Sequence, residues 1–180
     1  SLLFSNYINI LFLKLAHMTH YPQVIDTLKN TSYDKENDVY LCNSQLSVVD
    51  FDQLTKLLYP KQQPASFDAL LIEETEKKVF CIEFKNQENS DIKNQQIQKK
   101  AVDSMATLTH FCTTHKINLK SYRLIVCVVY KPPKNSYSYR RFKENIIHFG
   151  LDAYQGSIFD NIVTNGIDFF THEFQRKYTC

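Results

Sequence analysis

The sequence predicts one α/β domain in which helices flank a mixed central β-sheet. Its 180 residues are 43% hydrophobic and 22% charged, the balance of a globular domain with a sizeable core. Two short apolar runs around a charged turn, within residues 67–85, predict a β-hairpin. The run YRLIVCVVY (122–130) is apolar on both faces and predicts a buried central strand. Segments with helical spacing surround these strands, which is the order of an α/β protein.

The first 46 residues are predicted to form a helical N-terminal extension, with helices over residues 2–16 and 20–29. A polar loop and a short strand at VYL (39–41) follow them. The apolar start lacks the basic region and cleavage site of a signal peptide, and it is too short for a membrane span. We therefore expect a first helix that packs on the core, and no membrane partner.

Residues 47–130 are predicted to form the core of the domain. Apolar residues at helical spacing predict a helix over residues 47–58, capped by Ser47 and ended by Pro60. After the hairpin, a long helix is predicted within residues 86–116, with Asn89 or Ser90 as its N-cap. Its apolar stripe comprises Ile97, Ala101, Met105, Leu108 and either Phe111 or Cys112.

The last segment, residues 131–180, is predicted to start with a basic loop and to end in a helix over residues 167–178. NIIHFGL (145–151) predicts a further strand, whereas GSIFDNIVT (156–164) is ambiguous. No Gly- or Ser-rich linker interrupts the chain, so residues 1–180 are predicted to form a single domain.

The number and spacing of the glycines, cysteines and histidines exclude or disfavour several classes of site. The three glycines all lie near the C-terminus, which excludes a P-loop and a dinucleotide-binding glycine motif. The five cysteines include no C-x-x-C pair, so we expect reduced thiols, a cytoplasmic site of action and no structural zinc. The six histidines form no chelating pair and are expected to be structural or exposed.

The predicted hairpin carries charged residues among its apolar ones. If the turn is centred on residues 75 and 76, residues whose numbers sum to 151 pair, so Asp68 faces Glu83. Lys85 shares their face, because alternate side chains of a strand point to the same side. Two facing carboxylates need a cation, which is either Lys85 or a divalent metal ion with oxygen ligands. The alternative is a solvated salt bridge at the hairpin end.

Asp68 followed by the E-F-K run of residues 83–85 resembles the motif of the PD-(D/E)XK nuclease superfamily. Phe67 stands where the motif's Pro would be, and the element order of residues 47–130 is similar to the superfamily's core. The resemblance implies a restriction-endonuclease-like three-layer fold and a Mg²⁺-dependent endonuclease that cuts DNA or RNA. It implies that Asp68, Glu83 and the backbone carbonyl of Phe84 hold Mg²⁺ or Mn²⁺, and that Lys85 positions the attacking water.

Members of this superfamily often recruit further polar residues from neighbouring helices. For an additional acidic ligand the candidates are Asp50, Asp52 and Glu36, and the sequence favours none of them. On the long helix, Gln96 and Lys100 lie at i and i+4 beside the apolar stripe and are predicted to reach the site. The alternative for both is a solvated helix face.

A cationic segment follows the predicted central strand. From Ser104 to Lys143 the chain has eight Lys or Arg and no Asp or Glu, although its net charge is only +2. Basic side chains contact phosphates and aromatic rings stack on bases, so the segment suits nucleic acid, unless it is simply a solvated loop. The residues predicted to bind nucleic acid are Lys131, Lys134, Tyr137, Tyr139, Arg140, Arg141 and Lys143.

The biological role stays open at this point. A nuclease of this kind serves as a restriction or defence enzyme, as a repair nuclease, or as the toxin domain of a larger secreted protein with an immunity partner. One alternative is a nuclease-like fold that binds nucleic acid or a regulatory protein without cutting. Another is an α/β domain in which the charged hairpin residues form only a surface salt bridge.

Overall fold

The computed structural model describes residues 21–131 and 146–167. Three helices lie in these ranges: α1 (Leu28–Thr31), α2 (Phe51–Leu58) and α3 (Asn94–Thr114). Short 3-10 turns occur at Pro22–Val24, Asn89–Asp91, Leu119–Ser121 and Asp152–Tyr154. The strands are β1 (Ile25–Thr27), β2 (Tyr33–Asp34), β3 (Val39–Tyr40), β4 (Ser47–Asp50), β5 (Ala69–Glu73), β6 (Lys78–Glu88), β7 (Arg123–Lys131) and β8 (Asn161–Gly166).

Six of the strands form one mixed sheet in the order β1-β4-β5-β6-β7-β8. The first four pair antiparallel, whereas β6, β7 and β8 run parallel. The α3 helix connects β6 to β7, because a parallel connection needs a long crossover. The predicted α/β class and mixed central sheet are therefore confirmed, and β7 is a central strand as its sequence indicates.

Apolar side chains cover both faces of the sheet. On one face, α2 and α3 pack through Leu54, Ile97 and Leu108 onto strand residues such as Val126. On the other face, Leu28 of α1 and the connecting segment before β4 cover a second cluster, which contains most of the alternate residues of β5, β6 and β7. Helices thus flank the sheet on both sides, consistent with three layers.

The β5–β6 hairpin has the predicted register. Ala69 pairs with Ile82 and Leu70 with Cys81, so paired residue numbers sum to 151. The turn lies at residues 74–77, where Lys77 has a positive φ of 51°. A one-residue slip would exchange the two faces of the strand, turning Ile82 toward α3 and Glu83 away from it.

The predicted helix over residues 47–58 is wrong in its first part. Ser47–Asp50 form β4, which pairs with β1 and β5, and the helix starts only at Phe51. Asp50 is the N-cap, because its side chain accepts a hydrogen bond from the Gln53 N–H at 2.9 Å. The β-branched Val48 and Val49 fit a strand better than a helix, and pairing on both sides decides the outcome.

The helical N-terminal extension is also corrected where the structure describes it. Residues 20–29 were expected to be one helix, but Ile25–Thr27 form edge strand β1 and only Leu28–Thr31 are helical. The Thr27 side chain caps that short helix by accepting from the Asn30 N–H at 3.2 Å. The short strand expected near residues 39–41 is confirmed as β3. Residues 1–20, with the first predicted helix, lie outside the described residues.

Two further boundaries differ from prediction. The long helix starts at Asn94, with Lys93 rather than Asn89 or Ser90 as its N-cap, because β6 continues to Glu88. Its predicted apolar stripe is buried apart from the half-buried Met105. The strand expected at residues 145–151 is absent over 146–151, where the chain turns through residues 149 and 150. The predicted C-terminal helix falls almost wholly outside the described residues.

Candidate active site

The open end of the β5–β6 hairpin fixes the carboxylate of Asp68. The backbone N–H of Asp68 donates to the Ile82 carbonyl at 2.9 Å, and the backbone carbonyl of Asp68 accepts from the Phe51 N–H at 3.1 Å. The Phe84 N–H donates to Asp68 Oδ2 at 2.6 Å. The carboxylate is therefore bound to the backbone of β6 one residue beyond Glu83.

Glu83 is fully buried within β6, on the sheet face that α3 covers. The Lys100 ammonium on α3 donates to Glu83 Oε1 at 2.7 Å and Oε2 at 2.8 Å. The same ammonium lies 3.6 Å from Asp68 Oδ1. The Lys85 ammonium lies 2.9 Å from Glu83 Oε1. Two carboxylates and two ammonium groups thus form one cluster, with Lys100 between the carboxylates.

The electrostatics of the cluster follow from its burial and charge. Burial and the nearby Glu83 carboxylate raise the pKa of Asp68 to about 7, although Lys100 and the Phe84 N–H oppose the shift. Burial lowers the pKa of Lys100, but the Asp68 and Glu83 carboxylates more than offset this, and the net shift is upward. Lys100 therefore stays charged, whereas Asp68 in the metal-free form gains or loses its proton near neutral pH.

The α3 helix also anchors the strap, residues 65–67, which leads into Asp68. Ser104, one turn after Lys100 and almost fully buried, accepts from the Phe67 N–H at 2.8 Å. Asp103 accepts from the Ala65 N–H at 3.0 Å. Residues four apart share a helix face, so the face that presents Lys100 also holds the residue before Asp68. Helix and strap are therefore fixed relative to each other at the site.

A cleft of about 350 Å³ opens beside Asp68 and Lys85. Its far wall is the segment around β2, residues 31–37. The Asn86 side chain donates to Asp34 Oδ2 at 2.8 Å and ties this wall to β6. The register of β6 against β7 shifts between Lys85 and Glu88, an irregularity of the kind that often lies beside active sites. The charged cluster is thus reachable from solvent through Asp68 and Lys85.

Four of the five predicted catalytic residues come together in this cluster: Asp68, Glu83, Lys85 and Lys100. Gln96 is exposed one helical turn before Lys100, and its role stays a prediction. Phe84 contacts Asp68 through its N–H, and the predicted use of its carbonyl as a ligand also stays a prediction.

The three candidate acids have different surroundings. Asp50 caps α2, and burial raises its pKa. Asp52 accepts from the Ser66 hydroxyl at 2.9 Å and pairs with Lys56 at 3.0 Å. Burial raises the pKa of Asp52, but these two partners outweigh it, and the net shift is downward. Glu36 lines the far wall of the cleft.

Sequence reasoning missed the far wall of the cleft. Tyr33 and Tyr40, paired across the β2–β3 hairpin, are about 40% exposed, and their rings lie 4.7 Å apart. The segment reads as a polar loop in the sequence, because its strands have only two residues each. The signal for a hairpin is the placement of Tyr33 before, and Val39 and Tyr40 after, the polar DKEND run of residues 34–38.

The predicted nucleic-acid segment begins at the site end of the sheet. Lys85 is paired with Tyr130, and β6 and β7 are parallel, so the chain leaves β7 at the exposed Lys131 close to the cluster. The other predicted contacts lie outside the described residues: Lys134, Tyr137, Tyr139, Arg140, Arg141 and Lys143.

The donor set fits a hard divalent cation. No group of three or more His, Cys, Asp or Glu residues that could hold a metal occurs within residues 21–131 and 146–167. Mg²⁺ and Mn²⁺ need fewer protein ligands, because one or two carboxylates suffice when water and phosphate oxygens complete the shell. Asp68 and Glu83 already share one cation, the Lys100 ammonium. The pair therefore suits magnesium or manganese, and a closed zinc site does not fit.

Comparison with known proteins does not assign a function to this site. No protein-family model matches the sequence, and no curated protein and no solved structure matches it either. No helix among the described residues is long and apolar enough to cross a membrane. The function must therefore be argued from the residues of the cluster and their geometry.

Proposed function

We propose that this protein is a metal-dependent nuclease that hydrolyses phosphodiester bonds of DNA or RNA. The observation that carries the proposal is the fully buried Glu83, which shares one cation with Asp68 at the edge of an open cleft. Burying a carboxylate beside another is costly, and a surface salt bridge would not require it. Such an arrangement is typical of a site that binds a cation and a phosphate.

The resemblance to the PD-(D/E)XK superfamily supports this proposal. Asp68 immediately precedes β5, and Glu83 and Lys85 lie on the adjacent antiparallel strand β6, which is followed by a long helix and a parallel strand. We propose that the mixed six-stranded sheet with its flanking helices is a restriction-endonuclease-like fold. The biological role stays a prediction, with a defence enzyme, a repair nuclease and a toxin domain as the candidates. An immunity or regulatory partner also stays a prediction.

In the proposed reaction, Asp68 and Glu83 would hold Mg²⁺ or Mn²⁺. Once bound, that ion would lower the pKa of a water molecule and neutralise charge on the phosphate. Lys85 is held by Glu83 yet partly exposed to the cleft, so its ammonium is placed to orient the attacking water and to stabilise the added negative charge. Water would attack phosphorus and give up a proton, the bond to the leaving oxygen would break as that oxygen takes up a proton, and the products would be a phosphate end and a hydroxyl end.

The second candidate is a nuclease-like fold that binds without cutting. It is favoured by the charge balance of the cluster, because Lys85 and Lys100 together already offset both carboxylates. In that case the four groups would serve only to hold β5, β6 and α3 together.

One experiment separates the two candidates. Wild type and Glu83→Gln are incubated with plasmid DNA, single-stranded DNA and total tRNA, each with Mg²⁺, Mn²⁺ or EDTA. A nuclease cuts at least one substrate, and both EDTA and the substitution abolish cutting while binding persists. A binding module leaves every substrate intact, and the metal does not alter its binding.

A further inference from the structure

Lys100 occupies the position that a shared metal ion would need. Its ammonium contacts both oxygens of Glu83, at 2.7 and 2.8 Å, and lies 3.6 Å from Asp68. Lys85 contacts a single Glu83 oxygen, at 2.9 Å. The two lysines therefore differ: Lys100 bridges the carboxylates, whereas Lys85 approaches one of them from the side.

A divalent cation and the Lys100 ammonium cannot both bridge the same carboxylates. Like charges a few ångströms apart repel strongly in a buried site. With Asp68 ionised, the two carboxylates and two ammonium groups are balanced, so an arriving divalent ion would leave the cluster with an excess of two positive charges. The least costly relief is movement of one lysine, whose long side chain can swing its ammonium without moving the helix.

We propose that Lys100 is a built-in counter-ion that holds the metal position in the metal-free protein and must be displaced before a divalent cation binds. This inference rests on the metal site of the proposed function. Lys100 would stabilise the fold when metal is scarce, and it would weaken metal affinity by competing for the same oxygens.

The test measures Mn²⁺ binding by isothermal titration calorimetry, without nucleic acid, for wild type and Lys100→Met. We expect Lys100→Met to bind Mn²⁺ about tenfold more tightly or better, the gain expected when a competitor held by charge-assisted hydrogen bonds is removed. Adding Glu83→Gln to Lys100→Met should abolish the gain. Lys85→Met is the matched control, and it should gain clearly less because Lys85 contacts one oxygen.

Thermal unfolding, measured once in EDTA and once with Mn²⁺ in place of EDTA, gives the second readout. Lys100→Met should unfold at a lower temperature than wild type, and Mn²⁺ should raise its unfolding temperature by more than it raises that of wild type. If Lys100→Met does not fold, Lys100→Gln replaces it, since its amide can still donate to Glu83 but carries no charge.

The outcomes separate this inference from the proposed function. If wild type cuts with metal but neither Lys100 variant gains Mn²⁺ affinity, the inference is overturned and the nuclease proposal stands. If wild type neither binds Mn²⁺ nor cuts, while Lys100→Met binds Mn²⁺ through Glu83, the inference holds and the nuclease proposal fails. Absence of Mn²⁺ binding in all variants, or an equal gain in Lys85→Met, overturns the inference.

Discussion

Replacing Asp68 with Asn should stabilise the metal-free protein at high pH and leave its stability unchanged at low pH. Burial beside Glu83 raises the folded-state pKa of Asp68 to about 7, from an ordinary value of 3.8. A group with a raised folded pKa contributes stability that is complete below its unfolded pKa and is lost as the pH rises through the folded one. Asparagine resembles the protonated carboxyl at every pH and escapes that loss.

The magnitude follows from the shift. A difference of about three units corresponds to ~4 kcal/mol at most, since one unit is ~1.4 kcal/mol. The Asp68 side chain is 26% exposed and its charge is shared with Glu83, which reduces the expected effect to about 1–4 kcal/mol. Asp68→Asn should therefore exceed wild type in unfolding free energy by that amount at pH 8, and the difference should fall below about 1 kcal/mol at pH 4.

The assay is urea unfolding in EDTA at several pH values between 4 and 8. Asp103→Asn is the control, because Asp103 also accepts a backbone N–H and pairs with one lysine, but its carboxylate lies outside the Glu83 cluster. The reasoning is refuted if the difference in unfolding free energy between Asp68→Asn and wild type does not change with pH. It is also refuted if the advantage of the variant is smaller at pH 8 than at pH 4.

Three further predictions test the fold and the proposed interface. Gly150→Ala should cost about 1–3 kcal/mol and Gly156→Ala about 1 kcal/mol in urea unfolding, because both have positive φ. At Gly150 a Cβ would also displace the Gln98 amide, which donates to the Phe149 carbonyl at 2.9 Å, and equal costs would contradict this. Ser104→Ala should cost about 1–3 kcal/mol by leaving a buried backbone N–H without its acceptor, and an unchanged midpoint would argue against the anchored strap. Alanine at both Arg140 and Arg141 should weaken nucleic-acid binding at every sequence and reduce the salt dependence by about one unit per lost phosphate contact, whereas an unchanged salt slope would remove this segment from the interface.

The hairpin and the central strand can be predicted from the sequence because neighbouring residues in the chain determine their structure. The charged turn centred on residues 75 and 76 sets the register, and this register places Asp68 opposite Glu83. The continuous apolar run of β7 fits only a strand buried on both faces. In these elements, propensity, polarity and tertiary position agree.

The errors arise where pairing partners decide the structure. Residues 47–50 satisfy helical spacing, yet they form β4 because β1 and β5 lie on either side. The edge strand β1 depends in turn on β4, which local sequence cannot reveal. The end of β6 was placed too early for a related reason, since β6 continues past its irregularity to pair with Lys131.

The site was predictable in its residues but not in its contacts. The assumed turn places Asp68, Glu83 and Lys85 on one face of the hairpin, whereas Lys100 is predicted, together with Gln96, from what the resemblance implies for the following helix. That Lys100 rather than Lys85 bridges the carboxylates depends on how α3 docks on the sheet. Docking is fixed by side chains distant in sequence, such as Ser104 against the backbone before Asp68.

The most direct test of the central claim is a crystal structure of the protein soaked in Mn²⁺, with anomalous data collected at the manganese edge. The account predicts a peak at coordination distance from both Asp68 and Glu83, with the Lys100 ammonium moved away from Glu83. A map without a peak there, and with Lys100 still bound to both carboxylates at saturating Mn²⁺, would contradict it.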